Sequence, residues 1–267
     1  MLEARDITVR FGGVIAVNSV SLTVGDGEVL GLIGPNGSGK STFINAMTGL
    51  VPATGKLTVG DRPVPLGRAG AIAASGVLRT FQTPQVHDDL TCLENVLLGL
   101  PDRRLRSIGV AWLRRRALMR AEHGRWAEAL DALEFVGLAD SAQSPAGVLS
   151  YGERRRLELA RVYAGKPGTL LLDEPAAGLN HVETTNLVKL LHEWRGRGGP
   201  ALLVVEHKID FLEELCHRLV VLELGRVIAT GEPAAVWADP KVANAYLGVV
   251  AEDPSVQNSL GKVADNA

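Results

Sequence analysis

The chain has 267 residues, 46% hydrophobic and 22% charged, a balance that supports an ordinary packed core and excludes wholesale disorder. Its formal net charge of -2 argues against a general nucleic-acid binder, so no nucleic-acid partner is expected. The longest apolar runs, such as Ala201-Leu202-Leu203-Val204-Val205, are far too short to cross a bilayer, and Met1-Leu2-Glu3-Ala4-Arg5-Asp6 lacks the apolar centre of a signal peptide.

From the N-terminus, Ile7-Thr8-Val9-Arg10-Phe11 and Ser21-Leu22-Thr23-Val24 read as strands of an antiparallel region, broken by Gly12-Gly13. A Gly25-Asp26-Gly27 turn leads into the apolar strand Val29-Leu30-Gly31-Leu32-Ile33. Directly after it comes Gly34-Pro35-Asn36-Gly37-Ser38-Gly39-Lys40-Ser41-Thr42, which meets the phosphate-loop pattern at every position. The stretch Phe43-Ile44-Asn45-Ala46-Met47 continues it as a helix. Glycines let such a loop curl until successive N–H groups face a polyphosphate, and the new helix turns its positive end to the same anion. Lys40 supplies a mobile cation for the outer phosphates, and the Ser41 hydroxyl suits Mg²⁺.

Strand character returns at Lys56-Leu57-Thr58-Val59, with Gly60-Asp61-Arg62-Pro63 as a turn. From Cys92 to about Leu138 the pattern is helical: Trp126, Ala129, Leu130, Leu133 and Val136 recur at helix spacing, and Gly137 is a natural stop. The arginines of Arg103-Arg104-Leu105-Arg106 and Arg114-Arg115-Arg116 read as solvated surface. Cys92 and Cys216 stand outside any metal spacing and fit a reduced setting. Ser144-Pro145 breaks the chain, and helix and strand then alternate. Leu170-Leu171-Leu172-Asp173-Glu174 is an apolar strand, of the kind found inside parallel sheets, that ends in two carboxylates. Ligand sites of open α/β sheets form at the carboxyl ends of strands, so Asp173 suits the outer sphere of Mg²⁺ and Glu174 a general base that polarises water. A helix over Leu187–Trp194, a strand at Ala201–Glu206 and a hairpin turning at Gly225 follow. Beyond Leu247 the composition reads as a frayed tail.

One further string, Leu149-Ser150-Tyr151-Gly152-Glu153, opens a helix with the spacing of a capping box. It lies shortly before the Asp173 strand of a chain with a full phosphate loop, and there it resembles the signature motif of the ATP-binding cassette (ABC) ATPases. The resemblance spans Phe11 to about Gly248. It implies an α/β P-loop fold with a parallel-sheet core, an N-terminal antiparallel β subdomain and an inserted helical subdomain at about 92–165. The ATPase domain would run 1–248 and a flexible tail 249–267. It implies ATP and Mg²⁺ as cofactors, with nucleotide contacts at Phe11, Val17, Asn36, Gly37, Ser38, Gly39, Lys40, Ser41 and Thr42. Phe11 matches a ring stacked on adenine, although a strand phenylalanine could equally belong to the core. Ser150 and Gly152 would meet the γ-phosphate held by a second cassette. Gln82 matches the residue that contacts Mg²⁺ and water, and Mg²⁺ would be served by Ser41, Gln82 and Asp173. Glu174, His207 and Gln82 would be catalytic, His207 as the switch histidine that contacts the γ-phosphate, and Ala177-Gly178-Leu179-Asn180 would cross the cassette pair. Tyr151, Glu153 and Asn180 depart from the usual Gly, Gln and Asp of the family.

Within the family, Arg10-Phe11-Gly12-Gly13-Val14-Ile15-Ala16-Val17, Arg79-Thr80-Phe81-Gln82, the signature string, Ala176-Ala177-Gly178-Leu179-Asn180 and the ending Gly231-Glu232-Pro233 to Gly248 resemble the ATPases of branched-chain amino-acid importers. That implies membrane permease subunits as partners, a second cassette that is either a copy or a paralogue, and indirectly a solute-binding protein. The chain would sit peripherally on the cytoplasmic face of the inner membrane, and Gln82 through about Leu98 would dock a permease helix. Two alternatives stand beside this one. The first is a lipopolysaccharide or lipid exporter ATPase, the second a soluble ATPase of DNA repair or translation. The segment between Gln82 and Ser150 is too short for the coiled coil of repair members, and translation members carry two cassettes.

Overall fold

The structure is a computed structural model that describes residues 1–100 and 115–250; of the tail expected over 249–267, residues 249 and 250 instead close the last helix, and the rest, with the arginines at 103–106 and 114, lies outside the described residues. The described chain divides into two compact units. The first comprises Met1–Arg79, Gly168–Ala177 and the chain from Thr184 onward. The second comprises Thr80–Pro167 with Gly178–Glu183.

The first unit holds two sheets. One is antiparallel, in the order β2-β1-β4-β5, from β1 (Leu2–Phe11), β2 (Val14–Val24), β4 (Thr54–Val59) and β5 (Arg62–Val64). The turn expected over Gly60–Pro63 is confined to Gly60 and Asp61, and Pro63 instead lies in β5. That strand is the sheet edge, where a residue without an N–H is tolerated.

The second sheet runs β10-β9-β3-β8-β7-β6, from β3 (Val29–Ile33), β6 (Val77–Arg79), β7 (Thr169–Asp173), β8 (Ala201–Val205), β9 (Arg218–Glu223) and β10 (Arg226–Gly231). Every pair is parallel except the β9–β10 hairpin. Strands β3, β7 and β8 are buried at every residue, which is why they read as unbroken apolar runs rather than alternating ones. Helix α1 (Lys40–Met47) leaves the end of β3 and buries Phe43, Ile44, Ala46 and Met47 in a core shared with Leu2, Ile7, Val9, Leu30, Leu32 and Leu203. Short helix α2 (Ala69–Ala74) precedes β6. Strand β3, first of this sheet in the chain, sits between β8 and β9, so sequence-distant strand ends gather on one edge.

The second unit packs α3 (Cys92–Gly99), α4 (Arg115–Phe135) and α5 (Tyr151–Ala164) around Leu93, Val96, Ala129, Ala132, Leu133, Val136, Leu157 and Ala160. The rings of Phe135 and Tyr163 stack at 4.3 Å. Trp126 and Leu130, expected on the apolar face of α4, are instead exposed. The stripe that the unit buries runs through 129, 132, 133 and 136, and these two side chains fall beyond its edge. The first unit closes with α6 (His181–Gly196, which begins in the second unit), α7 (Ile209–Leu215), α8 (Pro233–Trp237) and α9 (Pro240–Val250). Among the described residues no helix is long and apolar enough to cross a membrane.

Candidate functional site

In the first unit the site is built on the ends of β3, β7 and β8. The loop after β3 curls through left-handed residues, with φ of 147° at Gly34, 78° at Gly37 and 104° at Gly39. Two of these glycines are also sterically required. A Cβ on Gly34 would stand 2.1 Å from the Leu222 carbonyl oxygen, and one on Gly39 would stand 2.5 Å from that of Ala16. The loop is thus pressed against β2 and β9, and Gly225 of the β9–β10 turn donates its N–H to the Ser38 carbonyl at 2.9 Å.

Lys40 is buried, and its Nζ donates to the carbonyls of Gly34 at 2.7 Å and Pro35 at 3.0 Å. Burial pushes its ammonium down to about 8, against the opposing pull of the Glu174 and Asp173 carboxylates. Ser38 is buried too, and its Oγ has no hydrogen-bond partner among the described residues. An orphaned hydroxyl, a lysine and the open N-terminus of α1 on one loop form a donor set that fits a polyphosphate. Asn36, Gly37 and Ser41 are exposed, as a loop that must meet a ligand requires, and Thr42 is half-buried.

At the end of β7, Asp173 accepts from Arg79 Nη2 at 2.6 Å. The same guanidinium donates through Nη1 to Asn45 Oδ1 of α1 at 2.5 Å, so β6, β7 and α1 are pinned together beneath the loop. Glu174 follows in a left-handed conformation, φ 46°, and one of its carboxylate oxygens lies 3.2 Å from His207 Nε2. Behind them the buried Glu206 accepts from the backbone of Ala176 and His207 at 3.0 and 2.9 Å.

Two nucleotide contacts expected from resemblance fare differently. Phe11 is 49% exposed at the end of β1, which settles that it is not a core residue. Val17 is fully buried in the core beneath Gly39, a position that supports the loop from below rather than facing a ligand.

The second unit carries the other expected residues. Gln82 lies in the exposed loop Phe81–Gln85, which α5 grips from one side. Arg155 donates to the carbonyls of Phe81, at 2.6 Å, and Gln82, while Glu158 accepts from the N–H groups of Phe81 and Gln85 at 3.3 Å each. These two side chains are buried and pair at 2.8 Å. Burial drives the Glu158 carboxyl upward, and Arg155 opposes that rise. Ser150 caps α5 in a full capping box. Glu153 Oε2 accepts from the Ser150 N–H at 2.9 Å and from its hydroxyl at 2.7 Å, so the departure from Gln turns its charge back onto its own helix. Asn180 forms a matching reciprocal pair with Glu183. Tyr151, the other departure, lies beside Gly178 and donates its hydroxyl to the Gln82 carbonyl at 3.4 Å.

Motif reading missed Arg79, Asn45, Glu206, Arg155 and Glu158. It also missed Tyr246 of α9, whose hydroxyl bonds the Gly34 backbone and is pushed up to about 12 by burial. Their roles depend on strand order and helix packing, which no local pattern displays; the Arg of Arg79-Thr80-Phe81-Gln82, three residues before a candidate ligand, was the one available hint.

Comparison with known proteins agrees with this geometry. Residues 17–177 match the ABC transporter family model, and residues 226–252 match one described as branched-chain amino acid ATP-binding cassette transporter. A high-affinity branched-chain amino acid transport ATP-binding protein of Pseudomonas aeruginosa is 39% identical over 250 residues, covering 93% of this chain and 98% of that protein. An ATP-binding cassette of an ABC transporter, solved in its ADP conformation, superposes with a TM-score of 0.79 at 32% identity over 93% of this chain and 98% of its own. An ATP-binding cassette solved as a dimer in a post-hydrolysis state with ADP and Pi gives a TM-score of 0.71 at 25% identity, over 87% of this chain and 99% of its own. The chain belongs to the ABC transporter family.

Proposed function

We propose that the chain is the ATP-hydrolysing subunit of an importer for branched-chain or other hydrophobic amino acids. It works at the cytoplasmic face of the membrane with permease subunits, a second cassette and, indirectly, a solute-binding protein. The observation that carries the ATPase reading is the 3.2 Å approach of Glu174 to His207 at the ends of neighbouring strands β7 and β8, in the same unit as the Lys40 loop. The match of residues 226–252 to a branched-chain model supports the importer over the lipid exporter.

When bound, MgATP supplies the electrophilic γ-phosphate and the cation that neutralises its charge. Lys40 and the N–H groups of 36–42 bind the phosphates, with Ser38 Oγ as a further donor. Ser41 and Gln82 are the oxygen donors we assign to the metal, with Asp173 in its outer sphere, a hard-cation set. Glu174 takes a proton from the attacking water at a carboxylate oxygen, and His207, whose Nε2 lies 3.2 Å from that carboxylate, contacts the γ-phosphate. Ser150 and Gly152 complete the site of the partner cassette, and Phe11 stacks on the base. The loop from Gln82 through Leu98 meets the permease. Residues 1–248 act as the ATPase domain, with 92–165 as its helical insert.

The test is reconstitution with the permease subunits that co-purify with the chain from its native membrane. ATP-dependent leucine uptake that Glu174→Gln abolishes supports the proposal. Robust ATP hydrolysis with lipid movement and no amino-acid uptake overturns the substrate class.

A further inference from the structure

Glu174 stands in a left-handed conformation that a non-glycine residue adopts only where its surroundings impose it. The turn that carries it is held at four points. The Glu174 N–H donates to the Val205 carbonyl at 2.8 Å, and the Ala177 N–H donates to the Glu174 carbonyl at 3.1 Å. The other two points converge on one residue further along. The Ala176 N–H donates to Glu206 Oε2 at 3.0 Å, and the Ala176 carbonyl accepts from Lys208 Nζ at 2.9 Å. The second oxygen of Glu206 accepts from the N–H groups of His207 at 2.9 Å and Lys208 at 3.4 Å. Lys208 Nζ also donates to Thr184 Oγ1 at 3.3 Å in α6.

A single buried carboxylate therefore grips the Glu174 turn with one oxygen and the His207 turn with the other. The two side chains that meet at 3.2 Å are carried by the turns so joined. We propose that Glu206, assisted by Lys208, is a positioning residue for hydrolysis: it locks the backbone of both turns so that the Glu174 carboxylate and the His207 imidazole face each other in register. This rests on Glu174 acting as the base proposed above. The chemistry of Glu206 fits the task, because three N–H donors converge on its two oxygens. An amide in its place would turn an NH₂ group towards N–H donors on one side and let go of one turn.

The test uses the full chain and compares Glu206→Gln, Lys208→Met, Glu174→Gln and the double variant Glu206→Gln/Glu174→Gln. ATP affinity is measured by calorimetry and steady-state hydrolysis as kcat and KM. We expect Glu206→Gln to lower kcat by about tenfold or more while KM and ATP affinity stay within about twofold, because loss of alignment affects the chemical step and not the phosphate loop. Lys208→Met should lower kcat by about threefold and keep the test open if Glu206→Gln does not fold. On the Glu174→Gln background the Glu206 change should add less than about twofold, since there is no base left to align.

Wild-type kcat in both Glu206→Gln and Lys208→Met, beside an inactive Glu174→Gln, overturns the positioning role alone. An equal fall in ATP affinity and kcat also overturns it, in favour of a general structural role. Wild-type hydrolysis by Glu174→Gln instead overturns the assignment of the base.

Discussion

Arg79 Nη2 lies 2.6 Å from Asp173 Oδ2, and the two side chains are only 8% and 10% exposed. A charge pair this deep contributes little net stability against a well-packed apolar pair, yet removing one partner strands the other. Arg79→Met should therefore destabilise the chain by about 3 kcal/mol in urea unfolding. Adding Asp173→Asn should restore part of that loss, because the stranded carboxylate is gone. Equal stability of Arg79→Met and the wild type would show that the pair is solvated in solution.

Lys40 should make nucleotide binding pH-dependent. Burial holds its ammonium near 8, below the usual lysine range, so the group is charged below that pH and loses its charge as pH rises through it. Phosphate favours the charged form, so ATP affinity should fall by about tenfold between pH 7 and pH 9. Binding near pH 8 should also take up protons, seen as an enthalpy that varies with buffer ionisation. Lys40→Ala should bind weakly throughout and show neither effect; a flat affinity in the wild type would mean Lys40 stays charged.

Glu174→Gln should leave ATP affinity nearly intact and cut steady-state hydrolysis by about a hundredfold or more, since the amide cannot take the proton of water. Trapped ATP should then hold two cassettes together, detectable by size-exclusion chromatography. Hydrolysis at the wild-type rate places the base elsewhere.

Gly178 has a φ of 74°, and a Cβ there would stand 2.9 Å from the Tyr151 ring. Gly178→Ala should cost about 2 kcal/mol, combining a left-handed alanine with an overpacked ring. Tyr151→Gly should relieve the overpacking and leave the backbone strain, so the double variant should recover about half. Thermal unfolding of the three proteins decides it; identical midpoints for Gly178→Ala and the wild type would contradict both terms.

A charge reversal at Asp88 and Asp89 is the natural test of permease docking, but Asp88 is not free to be reversed. Its carboxylate accepts from Arg154 Nη1 at 2.8 Å and its carbonyl from the Gly147 N–H at 3.0 Å, so arginine there would face Arg154 within the helical unit. Asp89 is exposed and is the cleaner choice. Asp89→Arg should leave the ATPase of the isolated chain within about twofold and abolish transport in reconstituted vesicles, as expected of a rim charge that meets a partner. Normal transport would move the docking surface away from this loop.

What local sequence determines here is clear from particular residues. The phosphate loop, the apolar strands Val29–Ile33 and Ala201–Val205, the turn at Gly225 and the caps at Ser150 and Glu153 are all encoded within a few positions. Backbone curvature, strand burial and helix capping are short-range demands, so they leave a short-range trace. Three-residue strands such as β5 and β6 leave almost none, and α4 shows that helical period alone does not tell which stripe is buried.

The arrangement behind the motifs was decided only in three dimensions. Strand β3 inserts between β8 and β9, and the ends of β3, β7 and β8 share one edge of the sheet. Arg79 meets Asp173 across 94 positions of sequence, and Glu206 meets Ala176 across 30. Such contacts arise from strand order and from burial that forces polar groups to find partners, and that order is set by the whole core rather than by any segment of it.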